Sequence, residues 1–247
     1  DKEALRQYVL QCAQKLTGLT DIPLYHFAIF HLNGQTGIVT ALSHLVSDAW
    51  TLSLIAKQIS DVYWELAQGD PCDNRTWDYL DHLHAEEEYL ASSRYEKDTN
   101  YWQEKYLNKL EPSTIKLCTA ATTTITAKRI TSTLGSELTE HIGQFCKETS
   151  ITPAVLFETA VILYLARVNP ENRTVTIGTP VLGRHNAREK NTAGMFISTM
   201  PLTIPVSAPD TVEDLANRIT DSHREIFRHQ RYPYSSILRQ LREKHEF

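Results

Sequence analysis

The 247-residue sequence lacks most of the features that would tie it to a special environment. Its four cysteines, Cys12, Cys72, Cys118 and Cys146, are far apart. They form neither a CxxC pair nor a dense framework, which excludes the usual zinc and disulfide scaffolds and fits a reducing cytoplasm. Charge of one sign is nowhere concentrated. The 25 basic and 30 acidic side chains leave a formal net charge of −5, and the longest like-charge run is Glu86-Glu87-Glu88. Neither nucleic acid nor a membrane surface is therefore an expected partner. No apolar run is long enough to span a bilayer, and the chain opens with Asp-Lys-Glu and an amphipathic segment rather than a basic and then apolar leader. A cytoplasmic location is expected. There is no Gly-x-Ser-x-Gly elbow, no internal repeat and no low-complexity tract. The two Asn-x-Thr triplets, at Asn74 and Asn172, mean nothing without a secretory route.

What is present is an alternation of helical and strand patterns. Apolar residues at helical spacing predict a helix over Glu3–Leu16, and Leu24–Leu32 reads as a strand. Asn33-Gly34 is a hairpin turn signal, because both central positions of the favoured tight turn need positive φ, and Gly37–Leu42 reads as the returning strand. A helix follows to Ala67, with Ser47 or Asp48 able to cap it, and Gly69–Asp73 breaks it. Two polar helices, Trp77–Ala91 and Arg94–Leu107, read as a half-solvated connection. A Thr-rich strand is expected over Thr119–Leu134, and helices over Ser136–Thr149 and Pro153–Val168. The remainder reads as a strand at Thr174–Val181, a polar loop at Gly183–Lys190, a strand at Met195–Val206, and helices at Thr211–Phe227 and Ser235–Lys244. The order predicts an α/β or α+β layered fold with an internal boundary near Leu110–Cys118.

The chemistry-bearing candidate is His44, where a strand ends just before a helix. An aspartate four positions on, Asp48, puts a carboxylate near an imidazole on a rigid support. The first free amides of the helix, including that of Ala49, point back toward the same region and would stabilise developing negative charge. Acyl transfer through a tetrahedral intermediate needs such a proton acceptor and such oxyanion donors. A hydrogen-bonded structural histidine and a helix-capping aspartate fit the same spacing. Adjacent strand residues point to opposite faces, so Ser43 and His44 are not expected to share a site.

These residues resemble the condensation domains of nonribosomal peptide synthetases, within the chloramphenicol acetyltransferase-like superfamily. Members carry a His-His-x-x-x-Asp-Gly signature. Ser43-His44-Leu45-Val46-Ser47-Asp48-Ala49 matches it at the second histidine and the aspartate, with Ser43 in place of the first histidine and Ala49 in place of the glycine. Further similarities follow in family order. Tyr79-Leu80-Asp81 through Glu88-Tyr89-Leu90, with Asp98 and Tyr101-Trp102 beyond, is similar to the segment joining the lobes. Ile177 through Arg184 is similar to the stretch before the second lobe's active-site strand. Gly194-Met195-Phe196-Ile197-Ser198-Thr199-Met200-Pro201-Leu202 resembles the glycine, phenylalanine and asparagine-threonine motif, with Ser198 where asparagine is usual and Thr203 where an arginine commonly follows. Arg228-His229-Gln230-Arg231-Tyr232-Pro233-Tyr234 resembles the histidine-glutamine and proline-aromatic motif.

The resemblance implies a chloramphenicol acetyltransferase-like two-lobed fold, incomplete at both ends. Residues 1–112 would be the later part of the N-terminal lobe with connecting helices, and 113–247 the first part of the C-terminal lobe. It implies an acyltransferase forming an amide between a carrier-bound acyl or peptidyl thioester and a carrier-bound aminoacyl amine. His44 would act as base or positioning group, the Ala49 amide would face the thioester oxygen, and Asp48 would be structural, paired with Arg184. Ser43, Trp50, Met195, Phe196 and Ser198 would line the substrate tunnel. No metal and no cofactor of the domain's own is expected. The phosphopantetheine arms of upstream and downstream peptidyl carrier proteins deliver the substrates, and an adenylation domain is the neighbour. A coenzyme A-dependent acyltransferase, an epimerising relative and a non-catalytic carrier-docking domain are the alternatives.

Overall fold

The computed structural model describes residues 1–16, 20–69, 77–106, 113–115 and 130–245. The elements among them are α1 (Lys2–Lys15), β1 (Tyr25–Leu32), β2 (Gln35–Leu42), α2 (Ala49–Gln68), α3 (Tyr79–Leu90), α4 (Ser93–Lys105), α5 (Ser136–Thr149), α6 (Pro153–Val168), β3 (Thr174–Val181), α7 (Ala187–Lys190), β4 (Ser198–Pro205), α8 (Val212–Arg228) and α9 (Tyr234–His245). They form two units: residues 1–92 with 182–197, and residues 93–181 with 198–247. The chain thus leaves the first unit after Ser92 and returns to it at Leu182. Helix α4, read from the sequence as part of a connection belonging with the first lobe, groups with the second unit.

In the first unit β1 and β2 pair antiparallel from Leu32↔Gln35 to Tyr25↔Leu42. Asn33 and Gly34 take φ of 51° and 76°, the positive values a two-residue turn requires. That short loop places Gln35 directly opposite Leu32, so β2 begins two residues before the expected Gly37. Helix α2 is capped by Asp48, whose side chain accepts from the Thr51 N–H, and it ends at Gly69 in the left-handed conformation. Its anchoring is unusual for a helix of 20 residues, because the buried residue it contributes is the polar Thr51. Apolar positions such as Leu52, Tyr63 and Leu66 are exposed.

The second unit holds a contiguous apolar core. Strand β4 alternates Met200, Leu202 and Ile204 into it, antiparallel to β3, and α6 and α8 cover the pair with Ile162, Leu165, Leu215, Ile219 and Ile226. Each such side chain contributes about 1.5–3 kcal/mol when taken fully out of water. Helix α8 starts on a reciprocal capping box between Thr211 and Asp214, which satisfies two otherwise orphaned N–H groups.

Several expectations are corrected. Helix α4 is half-solvated on its polar face but does not stand apart from the core: Trp102 is 1% exposed and belongs to the core with Tyr106. Polar residues dominate its sequence, but its aromatic stripe meets the unit's interior. The Gly183–Lys190 stretch is not all loop, since Asn186 accepts from the Glu189 N–H and caps the short helix α7. The strand expected from Met195 begins only at Ser198, because the N–H groups of Phe196 and Ile197 are taken by a carboxylate instead of a ladder. Of the Thr119–Leu134 strand, residues 130–134 carry no strand and the rest lies outside the described residues. Among the described residues no single helix is long and apolar enough to cross a membrane.

Candidate active site

Strand β2 ends at Leu42, and the backbone turns at once. The Ser43 N–H donates to Leu24 O at 2.8 Å, the Val46 N–H to Ser43 O at 3.1 Å, and the Ser47 hydroxyl to Ser43 O at 2.9 Å. Ser43 and His44 therefore sit in a turn rather than on a strand, which corrects the reason given for separating them. Ser43 is buried and His44 exposed. Among the described residues no hydrogen bond engages the His44 ring. The turn delivers the chain to Asp48 and the start of α2, where Ala49, at the first helical position, keeps its N–H outside the intrahelical ladder.

Both carboxylate oxygens of Asp48 are engaged. Its Oδ1 accepts from the Thr51 N–H at 2.8 Å, and its Oδ2 from the N–H groups of Phe196 at 3.1 Å and Ile197 at 3.3 Å. Arg184 Nη2 lies 3.2 Å from both carboxylate oxygens. The two side chains are 1% and 0% exposed. Desolvating such a pair is costly, and it is offset only where the remaining donors and acceptors find partners. Here most do. Arg184 also donates to the backbone oxygens of Glu189, Thr192 and Gly194 and to the Thr51 hydroxyl. Its guanidinium lies 3.8 Å from the centroid of the Phe196 ring, within cation–π range.

Burial by itself raises the Asp48 carboxyl. The Thr51 and Phe196 N–H groups and the Arg184 charge outweigh it and hold the carboxyl below its ordinary range. Asp48 is thus ionised and accepting on every side, which suits a support and leaves it no proton to carry.

The segment 182–197 is fixed by further contacts. The Tyr79 hydroxyl donates to Met195 O at 3.0 Å, and the Trp50 indole N–H to Lys190 O at 2.8 Å. His82 packs on the Phe196 ring at a centroid distance of 4.2 Å, with Nδ1 3.9 Å from the Glu189 carboxylate. Glu189 in turn accepts from the His185 N–H. Gly194 passes so close to Tyr79 that a Cβ would stand 2.2 Å from its ring. Burial lifts the Tyr79 hydroxyl above its ordinary pKa, with Glu86 adding to the effect.

Of the residues singled out in the sequence, Asp48, Ala49, Trp50, Arg184, Met195 and Phe196 come together in the first unit beside the turn that bears Ser43 and His44. Phe196 is buried and Met195 partly so. Ser198 belongs to the second unit, partly buried and opposite Val181 in the β3–β4 ladder. Thr51, His82 and Glu189 were missed. Tyr79-Leu80-Asp81 marked the neighbourhood of His82, and Thr51 lies just past the histidine motif, yet nothing local announces their partners. Among the described residues no group of histidine, cysteine, aspartate and glutamate is arranged to hold a metal ion.

The family model for the condensation domain matches residues 1–247. Surfactin synthase subunit 1 of Bacillus subtilis (strain 168) is 28% identical over 243 residues, which is 98% of this chain and 7% of that protein. The isonitrile lipopeptide synthase of Streptomyces coeruleorubidus is 29% identical over 202 residues, 81% of this chain and 14% of that protein. Among solved structures, the first condensation domain of the calcium-dependent antibiotic synthetase, in complex with a substrate analogue, aligns with a TM-score of 0.73 at 25% identity. The alignment covers 88% of this chain and 49% of that one. The starter condensation domain of rhizomide synthetase, in complex with C8-CoA, aligns at 0.80 with 23% identity, covering 97% and 54%. The chain thus spans about half the length of these solved relatives and a small part of the two synthases, and the expected mixed helix-and-strand, chloramphenicol acetyltransferase-like fold is that of the solved domains.

Proposed function

Because this chain belongs to the condensation-domain family, we propose that it takes part in amide-bond formation between a carrier-bound acyl or peptidyl thioester and a carrier-bound aminoacyl amine. In that reaction the amine nitrogen attacks the thioester carbonyl, the N–C bond forms, the C–S bond breaks, and the amine's proton ends on the departing thiol. His44 is the group that accepts or orients that proton. The Ala49 N–H at the start of α2 faces the carbonyl oxygen as it gains charge. An amine with the pKa of an α-amino group is about half to two-thirds unprotonated near pH 8, so holding the neutral form in line supplies a large part of the rate.

One observation carries the reading: the motif's carboxylate is buried, ionised and consumed by Arg184 and three backbone N–H groups, while its imidazole is exposed on the turn just before the helix. Such a division leaves His44 for chemistry and makes Asp48 its scaffold. Upstream and downstream peptidyl carrier proteins and an adjacent adenylation domain, in a cytoplasmic synthetase, are the proposed partners, and Ser43, Trp50, Met195, Phe196 and Ser198 the proposed lining of the substrate tunnel. In such a domain residues 1–112 and 113–247 would contribute to its two lobes.

The test is a single-turnover reaction of the polypeptide carrying this chain with two loaded carrier proteins, followed by mass spectrometry of the carrier-bound product. Appearance of the amide supports the reading, and carrier binding without product supports a docking role instead. A coenzyme A thioester shares the pantetheine arm, and a solved relative is described with C8-CoA bound. Faster transfer from the coenzyme A donor than from the carrier would favour that second reading.

A further inference from the structure

We propose that Thr51 is a positioning residue of the His44 site, fixing the Gly194–Ile197 backbone against the start of α2; the inference rests on the reading of His44 given above. The Thr51 hydroxyl donates to Gly194 O at 2.7 Å and accepts from the Gly194 N–H at 3.0 Å and from Arg184 Nη2 at 3.2 Å. A hydroxyl has one proton to give and two lone pairs to offer, so its capacity is fully used. Both polar groups of one glycine are held by a single oxygen, across 143 residues of sequence. The backbone N–H of the same threonine donates to Asp48 Oδ1. Thr51 therefore touches the capping carboxylate, the arginine paired with it and the crossing segment.

Its burial points the same way. Thr51 is 2% exposed and is the buried residue of α2, whose apolar Leu54, Ile55, Ile59 and Val62 are only partly buried. Asp48 restrains Phe196 and Ile197, Trp50 restrains Lys190, and Thr51 restrains Gly194 between them. If the first turn of α2 presents the oxyanion donor and the preceding turn presents His44, a slip of this register moves both relative to the reacting carbonyl. Displacements on the order of 1 Å at a reacting centre cost about a hundredfold in rate.

The substitutions that separate this role from simple folding are Thr51→Val and Thr51→Ser. Valine keeps the shape, removes the hydroxyl and leaves the Asp48–Arg184 pair intact; serine keeps the hydroxyl. Single-turnover amide formation is expected to fall about tenfold to a hundredfold in Thr51→Val and to return to within about threefold in Thr51→Ser. Amide hydrogen exchange over residues 192–197 is expected to run about tenfold faster in the valine variant than in the unaltered protein. Wild-type rates in Thr51→Val, or an equal loss in Thr51→Ser, overturn the proposal. Absence of product from the unaltered protein overturns the functional reading instead, and the exchange comparison then supports or overturns the hold of Thr51 on Gly194 by itself.

Discussion

Arg184 Nη2 stands 3.2 Å from both carboxylate oxygens of Asp48, a residue 136 positions away in sequence, with both side chains closed to solvent. Removing one member of a buried pair leaves the other charged and unpartnered, which costs about 3–5 kcal/mol. Asp48→Ala should therefore lower stability by about that amount in urea denaturation, and Arg184→Ala by a similar one. The double variant Asp48→Ala/Arg184→Ala should lose less than the two single losses added together, because neither charge is then stranded. Strict additivity would show that the two side chains are not coupled.

Acid should loosen the fold in a defined direction. Burial raises the Asp48 carboxyl, and the Thr51 and Phe196 N–H groups with Arg184 more than reverse this, so its pKa lies below the ordinary 3.8. Glu158, lifted by burial, is brought below the ordinary 4.5 by His223 and the Thr179 hydroxyl. Both groups bind protons more weakly folded than unfolded, so their stabilisation is complete above these values and is lost as pH falls through the lowered ones. Denaturation midpoints should drop as pH falls below about 4.5, and Asp48→Asn should flatten part of that acid limb. Stability that rises on acidification in this window contradicts the assignment.

Gly194 should tolerate no larger residue. A Cβ there would lie 2.2 Å from Tyr79 Cδ2 and 2.3 Å from Cε2, and the Tyr79 ring is held in place by its hydrogen bond to Met195 O. Gly194→Ala is expected to cost about 1–3 kcal/mol as overpacking. Adding Tyr79→Leu, which clears the contact, should return part of it; thermal melting of the three variants is the measurement.

Trp102 provides a check on the second unit alone. Its ring is buried in the core and its indole N–H donates to His229 O at 3.2 Å. Trp102→Ala should cost about 3–5 kcal/mol, whereas Trp102→Phe, which keeps much of the packing and loses the hydrogen bond, should cost about 1–2 kcal/mol. Equal, small effects from both would place α4 outside the core.

Those residues also show where the sequence was readable. Helices α5 and α6 and strand β3 were legible to the residue because local signals, such as Pro153 in a first turn, coincide with the burial pattern. The resemblance led to the Asp48–Arg184 pair, which spacing alone could not have joined. The late start of β4 was not legible, since the residue that diverts the Phe196 and Ile197 N–H groups lies 148 and 149 positions away. Trp102 was misplaced for a related reason. A helix whose charges outnumber its apolar residues reads as solvated until the core that receives its aromatic stripe is known. Thr51 carries no local signal, because a threonine inside a helix is ordinary until its hydroxyl meets a distant backbone.

The central claim is that the exposed imidazole of His44 serves the reaction while Asp48 and Arg184 hold its surroundings. The most direct test is single-turnover amide formation between two loaded carrier proteins by the polypeptide carrying His44→Ala, with folding checked by circular dichroism. The account predicts a folded protein whose rate falls by about a hundredfold or more; a folded His44→Ala variant reacting at the wild-type rate would contradict it.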